Sequence, residues 1–169
     1  MTDSTAAHAA LPAGVTLREA TEADIPAMVE MVNAAFEEEA FFVNRPRTHP
    51  AQLAEHFRSG RFLLAHEGAL LLASAYYHVH GERGYIGMLA VRPERQRSGM
   101  GRAMMQAVER ILRDSGCRIA ELSVVNLRTK LLRAYVKLGY REAGLVEPPE
   151  ELRQKLTMPV QLIKMEKPL

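Results

Sequence analysis

The chain contains one cysteine, Cys117, so no internal disulfide can form. It also lacks a long apolar run. The longest, residues 69–77, falls far short of the roughly 20 residues that span a bilayer. The N-terminus has neither a basic segment nor an apolar one, so no secretory leader is expected, and the expected location is the cytoplasm. The net charge of +2 is too small to argue for nucleic acid by itself, and the arginines are not interleaved with the aromatics that single-strand stacking needs. His78 and His80 stand two apart, but no other residues complete a metal-ligand spacing, so no metal is expected.

What is present fits a soluble globular protein: 47% apolar and 25% charged residues over 169 positions, enough for one sizeable core. Residues 1–14, rich in Ala, Thr and Ser with Pro12 and Gly14, are expected to form a poorly ordered tail ahead of a single domain over 15–169. The charge is uneven. Seven carboxylates fall between Glu19 and Glu39, whereas residues 92–141 are rich in Arg and Lys. A basic half suits a polyanionic ligand. Cys117, between Gly116 and Arg118, reads as a small buried hydrophobe.

Periodicity and turn chemistry predict seven strands (15–19, 61–66, 69–79, 85–91, 119–125, 140–146, 160–165) and about four helices. Thr21 or Asp24 caps the first helix, whose Ile25, Met28, Val29, Val32 and Phe36 recur at helical spacing. The second runs over 51–58, the third starts near Gly101, and the fourth covers 129–138 before Gly139. Glu67-Gly68 makes a hairpin turn. The strand 85–91, read as buried, and the strand 119–125 enclose a helix and are therefore expected to be parallel. The whole is an α/β (α+β) domain around a mixed central sheet.

Between the strand 85–91 and the third helix lies Val91-Arg92-Pro93-Glu94-Arg95-Gln96-Arg97-Ser98-Gly99-Met100-Gly101-Arg102. A glycine-bearing loop feeding a helix N-terminus presents unpaired backbone N–H groups and the positive end of the helix dipole. Gly99 and Gly101 allow positive φ and close approach, and Arg95, Arg97 and Arg102 add charge. The natural guest is a phosphate or pyrophosphate. The loop has neither a Walker ending nor a dinucleotide fingerprint.

Gln96-Arg97-Ser98-Gly99-Met100-Gly101 resembles the pyrophosphate-binding segment of the GNAT N-acetyltransferase superfamily. Asn126, ending a strand, and a helix bearing Tyr135-Val136-Lys137-Leu138-Gly139-Tyr140 resemble that superfamily's second motif, with two more residues between Asn and Tyr than in many members. Further likeness runs through Glu39-Ala40-Phe41-Phe42, Arg47-Thr48, residues 87–91 and the closing Met165-Glu166-Lys167-Pro168-Leu169. The resemblance implies an acyl-CoA N-acyltransferase fold whose sheet splays between its fourth and fifth strands, with acetyl-CoA in the gap. It implies an N-acetyltransferase acting on a primary amine, without metal. A cofactor-sensing module of the same fold that has lost turnover is the alternative.

By the same resemblance, Leu89, Ala90 and Val91 hold the acyl end and polarise its carbonyl. Gln96, Arg97, Ser98, Gly99, Met100, Gly101 and Arg102 hold the pyrophosphate. Asn126 bonds the pantetheine arm, and Tyr135 protonates the departing sulfur. The base is less plain, because residues 85–89 carry no carboxylate where many relatives have one. Candidates are Glu39, Glu82 and the His78/His80 pair, with Glu39 preferred. Phe41, Phe42, Arg47, His78 and Tyr85 are expected around the acceptor. Arg45 and Arg47 suit an acceptor carboxylate, with a solvated basic loop as the alternative reading. The last strand is expected to be free to pair across a homodimer.

Overall fold

The computed structural model describes residues 10–169, and the tail expected over 1–14 lies outside the described residues up to position 9. Within that stretch Leu11 packs against the core, and the N–H of Val15 donates to the carbonyl of Pro12. The elements run β1 Val15–Glu19, α1 Ile25–Ala35, α2 Pro50–Ser59, β2 Arg61–Glu67, β3 Leu70–His80, β4 Arg83–Val91, α3 Met100–Asp114, β5 Ile119–Val125, α4 Thr129–Lys137, β6 Arg141–Val146, α5 Glu150–Arg153 and β7 Leu162–Pro168. The sheet order is β1-β2-β3-β4-β5-β7-β6.

Every neighbouring pair is antiparallel except β4 and β5. That parallel pair holds for only three positions, Arg83 with Ile119, Gly84 with Ala120 and Tyr85 with Glu121. Beyond Tyr85 the two strands part, while β4 stays on β3 as far as Val91 and β5 stays on β7 throughout. The sheet is therefore open between its fourth and fifth strands in chain order. A bulge sets the divergence. Met88 and Leu89 oppose the single residue Ala75, and Met88 takes a φ of 46°. Such bulges bend a strand and raise its twist.

Two apolar layers hold the sheet. Methionines 28 and 31 with Val32 of α1, and Leu53 of α2, pack on Phe62, Leu64 and Tyr76 on one face. Met104, Val108 and Leu112 of α3, together with Tyr135 of α4, pack on the other. Phe42, Val43, Val125 and Leu162 form a smaller third cluster that ties the chain after α1 to the ends of β5 and β7. A bridge between Val43 and Leu156 zips that segment to the chain after α5.

Several expectations change here. β4 is half-buried rather than buried, because one of its edges faces the opening. β7 lies between β5 and β6 with both edges used, so it is not free to pair across a dimer; the outer edges belong to β1 and β6. α5 is a helix beyond the four the sequence predicts, since a four-residue helix is too short to show a period. Pro149 before Glu150 and Glu151 is nonetheless a helix-start signature. Cys117 is buried between α3 and β5, and burial pushes its thiol up.

Candidate active site

The glycine-bearing loop runs from the end of β4 into α3, in the order the sequence predicts. After a single turn at Pro93–Arg95 the chain extends through Gln96, turns left-handed at Arg97 (φ 61°) and again at Gly99 (φ 85°), and enters α3. The side-chain amide of Gln96 donates to the Val91 carbonyl at 3.1 Å and buckles the loop against the end of β4. The first N–H used inside α3 belongs to Ala103, which donates to the Gly99 carbonyl. Those of Met100, Gly101 and Arg102 therefore point out of the helix end, where the dipole favours an anion.

Two details differ from expectation. Gly101 is helical rather than left-handed, and a Cβ there would meet only Val91 and Leu89 side chains at 3.8 and 4.0 Å. Its missing Cβ thus leaves space beside Val91 and Leu89 and sets no left-handed turn. Arg95 is not free, because it forms an ion pair with Glu67. Arg97 and Arg102 are exposed.

Alongside the cradle, β4 presents the backbone of Gly87 to Val91 toward the gap with no β5 partner. This open edge and the cradle together suit a long, polar chain ending in a pyrophosphate. Asn126 stands at the far lip, with its Oδ1 accepting from the Gln161 N–H at 2.9 Å. Its amide NH₂ donates to no described residue.

A cavity of about 270 Å³ lies where the gap meets α1, α2 and α5. Of the expected residues it gathers Glu39, Arg47, Tyr85, Leu89 and Tyr135. Tyr135 is 8% exposed and is the one buried residue of α4. Burial foremost, with Tyr85 adding to it, pushes its hydroxyl up to about 12. It therefore stays protonated, the form an acid requires. Tyr85 is pushed up as well, by burial.

Glu39 is also 8% exposed. Its Oε1 accepts from Arg128 Nη1 at 2.9 Å, and its Oε2 lies 3.4 Å from Arg47 Nε. Burial pushes the carboxyl upward, and the two guanidiniums pull it back part of the way; the net direction is upward.

The cavity does not gather every expected residue. Phe42 is wholly buried in the third cluster, where it anchors its segment instead of facing an acceptor. Phe41 is exposed and meets Phe42 edge-on at 4.8 Å. His78 stacks on Tyr85 at 5.2 Å and so stands behind that ring. Of the other base candidates, Glu82 pairs with Arg118 at the opposite end of β4, and His80 is exposed. Sequence reasoning missed Arg128, Gln52, His56, Glu151 and Lys155, all of which line the cavity. Arg128 directly follows the Asn126 motif, which could have drawn attention to it. Among the described residues no group of three or more His, Cys, Asp or Glu is placed to hold a metal. No helix among them is long and apolar enough to cross a membrane.

A mixed sheet opened between two parallel strands, with a left-handed glycine turn starting a helix at the opening, defines the acyl-CoA N-acyltransferase class. The chain belongs to the acetyltransferase (GNAT) family, whose family model matches residues 25–140. It is 29% identical over 134 residues to an amino-acid acetyltransferase of Pseudomonas putida, covering 79% of this chain and 29% of that protein. The chain thus spans less than a third of the length of this curated relative. Among solved structures, it resembles the ribosomal-protein-S18-alanine N-acetyltransferase from Escherichia coli, with TM-score 0.72, 19% identity, and 91% and 93% of the two chains covered. It also resembles the PaiA N-acetyltransferase from Thermoplasma acidophilum in complex with coenzyme A, with TM-score 0.73, 15% identity, and 92% and 99% covered. At these identities the structural likeness speaks for the fold.

Proposed function

We propose that the chain, acting as one domain over 15–169, transfers an acetyl group from acetyl-CoA directly to a primary amine. The observation that carries this reading is the meeting of three features: an unpaired β4 edge, a cradle of free N–H groups, and a buried neutral tyrosine at the cavity between them. The coenzyme A complex of a structural neighbour and the amino-acid acetyltransferase relative both support it. In this reading Arg97, Ser98, Gly99, Met100, Gly101 and Arg102 hold the pyrophosphate, with Gln96 bracing the loop. Leu89, Ala90 and Val91 offer backbone groups to the acyl arm, and Asn126 offers its amide NH₂.

The amine attacks the thioester carbonyl, and the carbon–sulfur bond breaks. Tyr135 gives its proton to the departing sulfur, and Glu39 takes one from the amine, directly or through a water. Tyr85 and Arg47 flank the acceptor.

Thermal unfolding with and without acetyl-CoA tests the donor. At a hundred times Kd the ligand stabilises by about 2.7 kcal/mol, a rise on the order of 5–10 °C. In Gly99→Val, whose backbone is held at φ 85°, the branched side chain opposes the left-handed turn, and the rise is expected to vanish. No rise in the wild type at millimolar acetyl-CoA would overturn the reading.

Glu39→Gln tests the base. The carboxylate is the working form, so activity falls as pH drops through its pKa, which lies above the ordinary glutamate range. The variant is expected to lose roughly 100-fold in kcat and to lose that acid limb. A wild-type pH profile in Glu39→Gln would remove Glu39 as base.

A further inference from the structure

One wall of the cavity carries buried polar atoms that the protein leaves without a hydrogen bond. Arg47, Arg128 and Lys155 line it against two carboxylates, Glu39 and Glu151. Arg128 is hydrogen-bonded to Glu39 and pairs with Glu38 at 3.6 Å, and Glu151 accepts from Gln52 Nε2 at 2.9 Å. Lys155 donates only to the carbonyls of Pro46 and Arg47, at 3.2 and 3.3 Å. Arg47 forms an ion pair with Glu39. Its buried Nε makes no hydrogen bond although Glu39 lies 3.4 Å away, and neither Nη donates to a described residue.

This arginine is not a loose surface side chain. Thr48 donates its N–H to Asn33 Oδ1 at 2.9 Å, and Asn33 Nδ2 donates to the Thr48 carbonyl at 3.1 Å. The guanidinium rests over the Phe36 ring at 5.2 Å. Its fork is held before any ligand arrives, which lowers the cost of binding, and its planar donors match a carboxylate. Gln52 Oε1, on the same wall, is buried and unpartnered as well. Its amide cannot flip, because that would set its oxygen against the Glu151 carboxylate. An unpaired donor and an unpaired acceptor on one cavity wall mark groups that a bound molecule completes.

We propose that the acceptor is a free α-amino acid, with its carboxylate on Arg47 and its α-amine beside Glu39; this rests on the acetyl-transfer reading. An α-amino acid carries its amine one carbon from its carboxylate. Arg47 and Glu39 present the complementary charges in the same adjacency, 3.4 Å apart. Gln52 Oε1 accepts a further N–H or O–H of the bound molecule. The cavity of about 270 Å³ is small for a ligand site and suits an acceptor of amino-acid size. The α-nitrogen bonds to the acetyl carbon, the sulfur leaves as the thiol, and the amine proton leaves through Glu39. The products are an N-acetylamino acid and coenzyme A.

The test needs no variant at first. Amino acids are compared with their decarboxylated counterparts, with polyamines and with peptides. Coenzyme A release is measured, and so is calorimetric binding of each compound to the enzyme–coenzyme A complex. At least roughly tenfold higher kcat/KM and tighter binding are expected for the amino acids, the loss expected when a charge-assisted bidentate pair is removed. Lysine is expected to be acetylated on its α-nitrogen, read by mass spectrometry. Arg47→Gln is expected to raise KM for amino acids about 10- to 100-fold without changing coenzyme A affinity, and Arg47→Lys to recover part of the loss. Equal or better use of decarboxylated amines, polyamines or peptides would overturn the proposal, as would an unchanged KM in folded Arg47→Gln. Absence of any stabilisation by coenzyme A would instead overturn the acetyl-transfer reading beneath it.

Discussion

Tyr135→Phe is expected to lower kcat by about 10²–10⁴ and to leave coenzyme A affinity unchanged. The tyrosine ring is fixed without its hydroxyl. It packs edge-to-face on Tyr140 with centroids 5.8 Å apart. Tyr140 is itself held, donating to Glu109 Oε1 at 2.8 Å, while Lys167 donates to Glu109 Oε2 at 2.8 Å. Phenylalanine therefore keeps the packing and loses only the proton. Because burial holds the Tyr135 hydroxyl at about 12, the wild type should show no alkaline fall in kcat from this group below about pH 11. Steady-state kinetics with calorimetric Kd for coenzyme A checks both points. An unchanged kcat would remove Tyr135 as the proton donor.

Leu112→Ala is expected to have the largest effect on stability, about 2–5 kcal/mol and a fall in Tm on the order of 5–15 °C. Leu112 is fully buried and seats α3 on the sheet. It does so over Gly84, where a Cβ would come within 2.5 Å of Leu112 Cδ1 and 2.8 Å of its Cγ. Gly84 pairs with Ala120, at the last stretch where β4 and β5 hold together. The missing side chain thus brings α3 close to the point from which the strands diverge, and the cradle begins that same helix.

Gly84→Ala alone is expected to destabilise by overpacking, by about 1–3 kcal/mol, and to raise KM for acetyl-CoA by displacing the cradle. In the double variant Gly84→Ala/Leu112→Ala the smaller residue makes room for the new methyl. Its loss should fall below the sum of the single losses, by roughly 0.5–3 kcal/mol of coupling. Denaturant melts of the four proteins decide this. Strict additivity would mean that Gly84 and Leu112 do not press on each other.

How much of this was legible beforehand differs between the fold and the cavity. β1 and β5 follow their sequence boundaries, since alternation and flanking turns mark them locally. Gly68, Gly99, Gly116 and Gly139 all adopt the positive φ that their turns require. β7 was expected at 160–165 and runs Leu162–Pro168, because pairing of Leu162 with Val125 and of Pro168 with Ile119 sets its register. The cradle could be read as a contiguous run of residues. Phe42 could not be told from an acceptor contact, because an aromatic in a loop carries no sign of which side it faces.

The sequence by itself determined the element order, the parallel step around α3, the glycine turns and the chemical character of the cradle. Each of these depends on residues a few positions apart, where periodicity, missing Cβ atoms and helix-end donors act. Only the tertiary structure decided what Glu39 and Arg47 are. Glu39 meets Arg128 from 89 positions away, and Gln52 meets Glu151 from 99. Whether a charged side chain is solvated, paired or left unpartnered on a cavity wall depends on burial and on neighbours brought together by the tertiary fold. No local pattern encodes that. The sequence therefore carries the loop proposed to hold the donor, and packing forms the cavity proposed to take the acceptor.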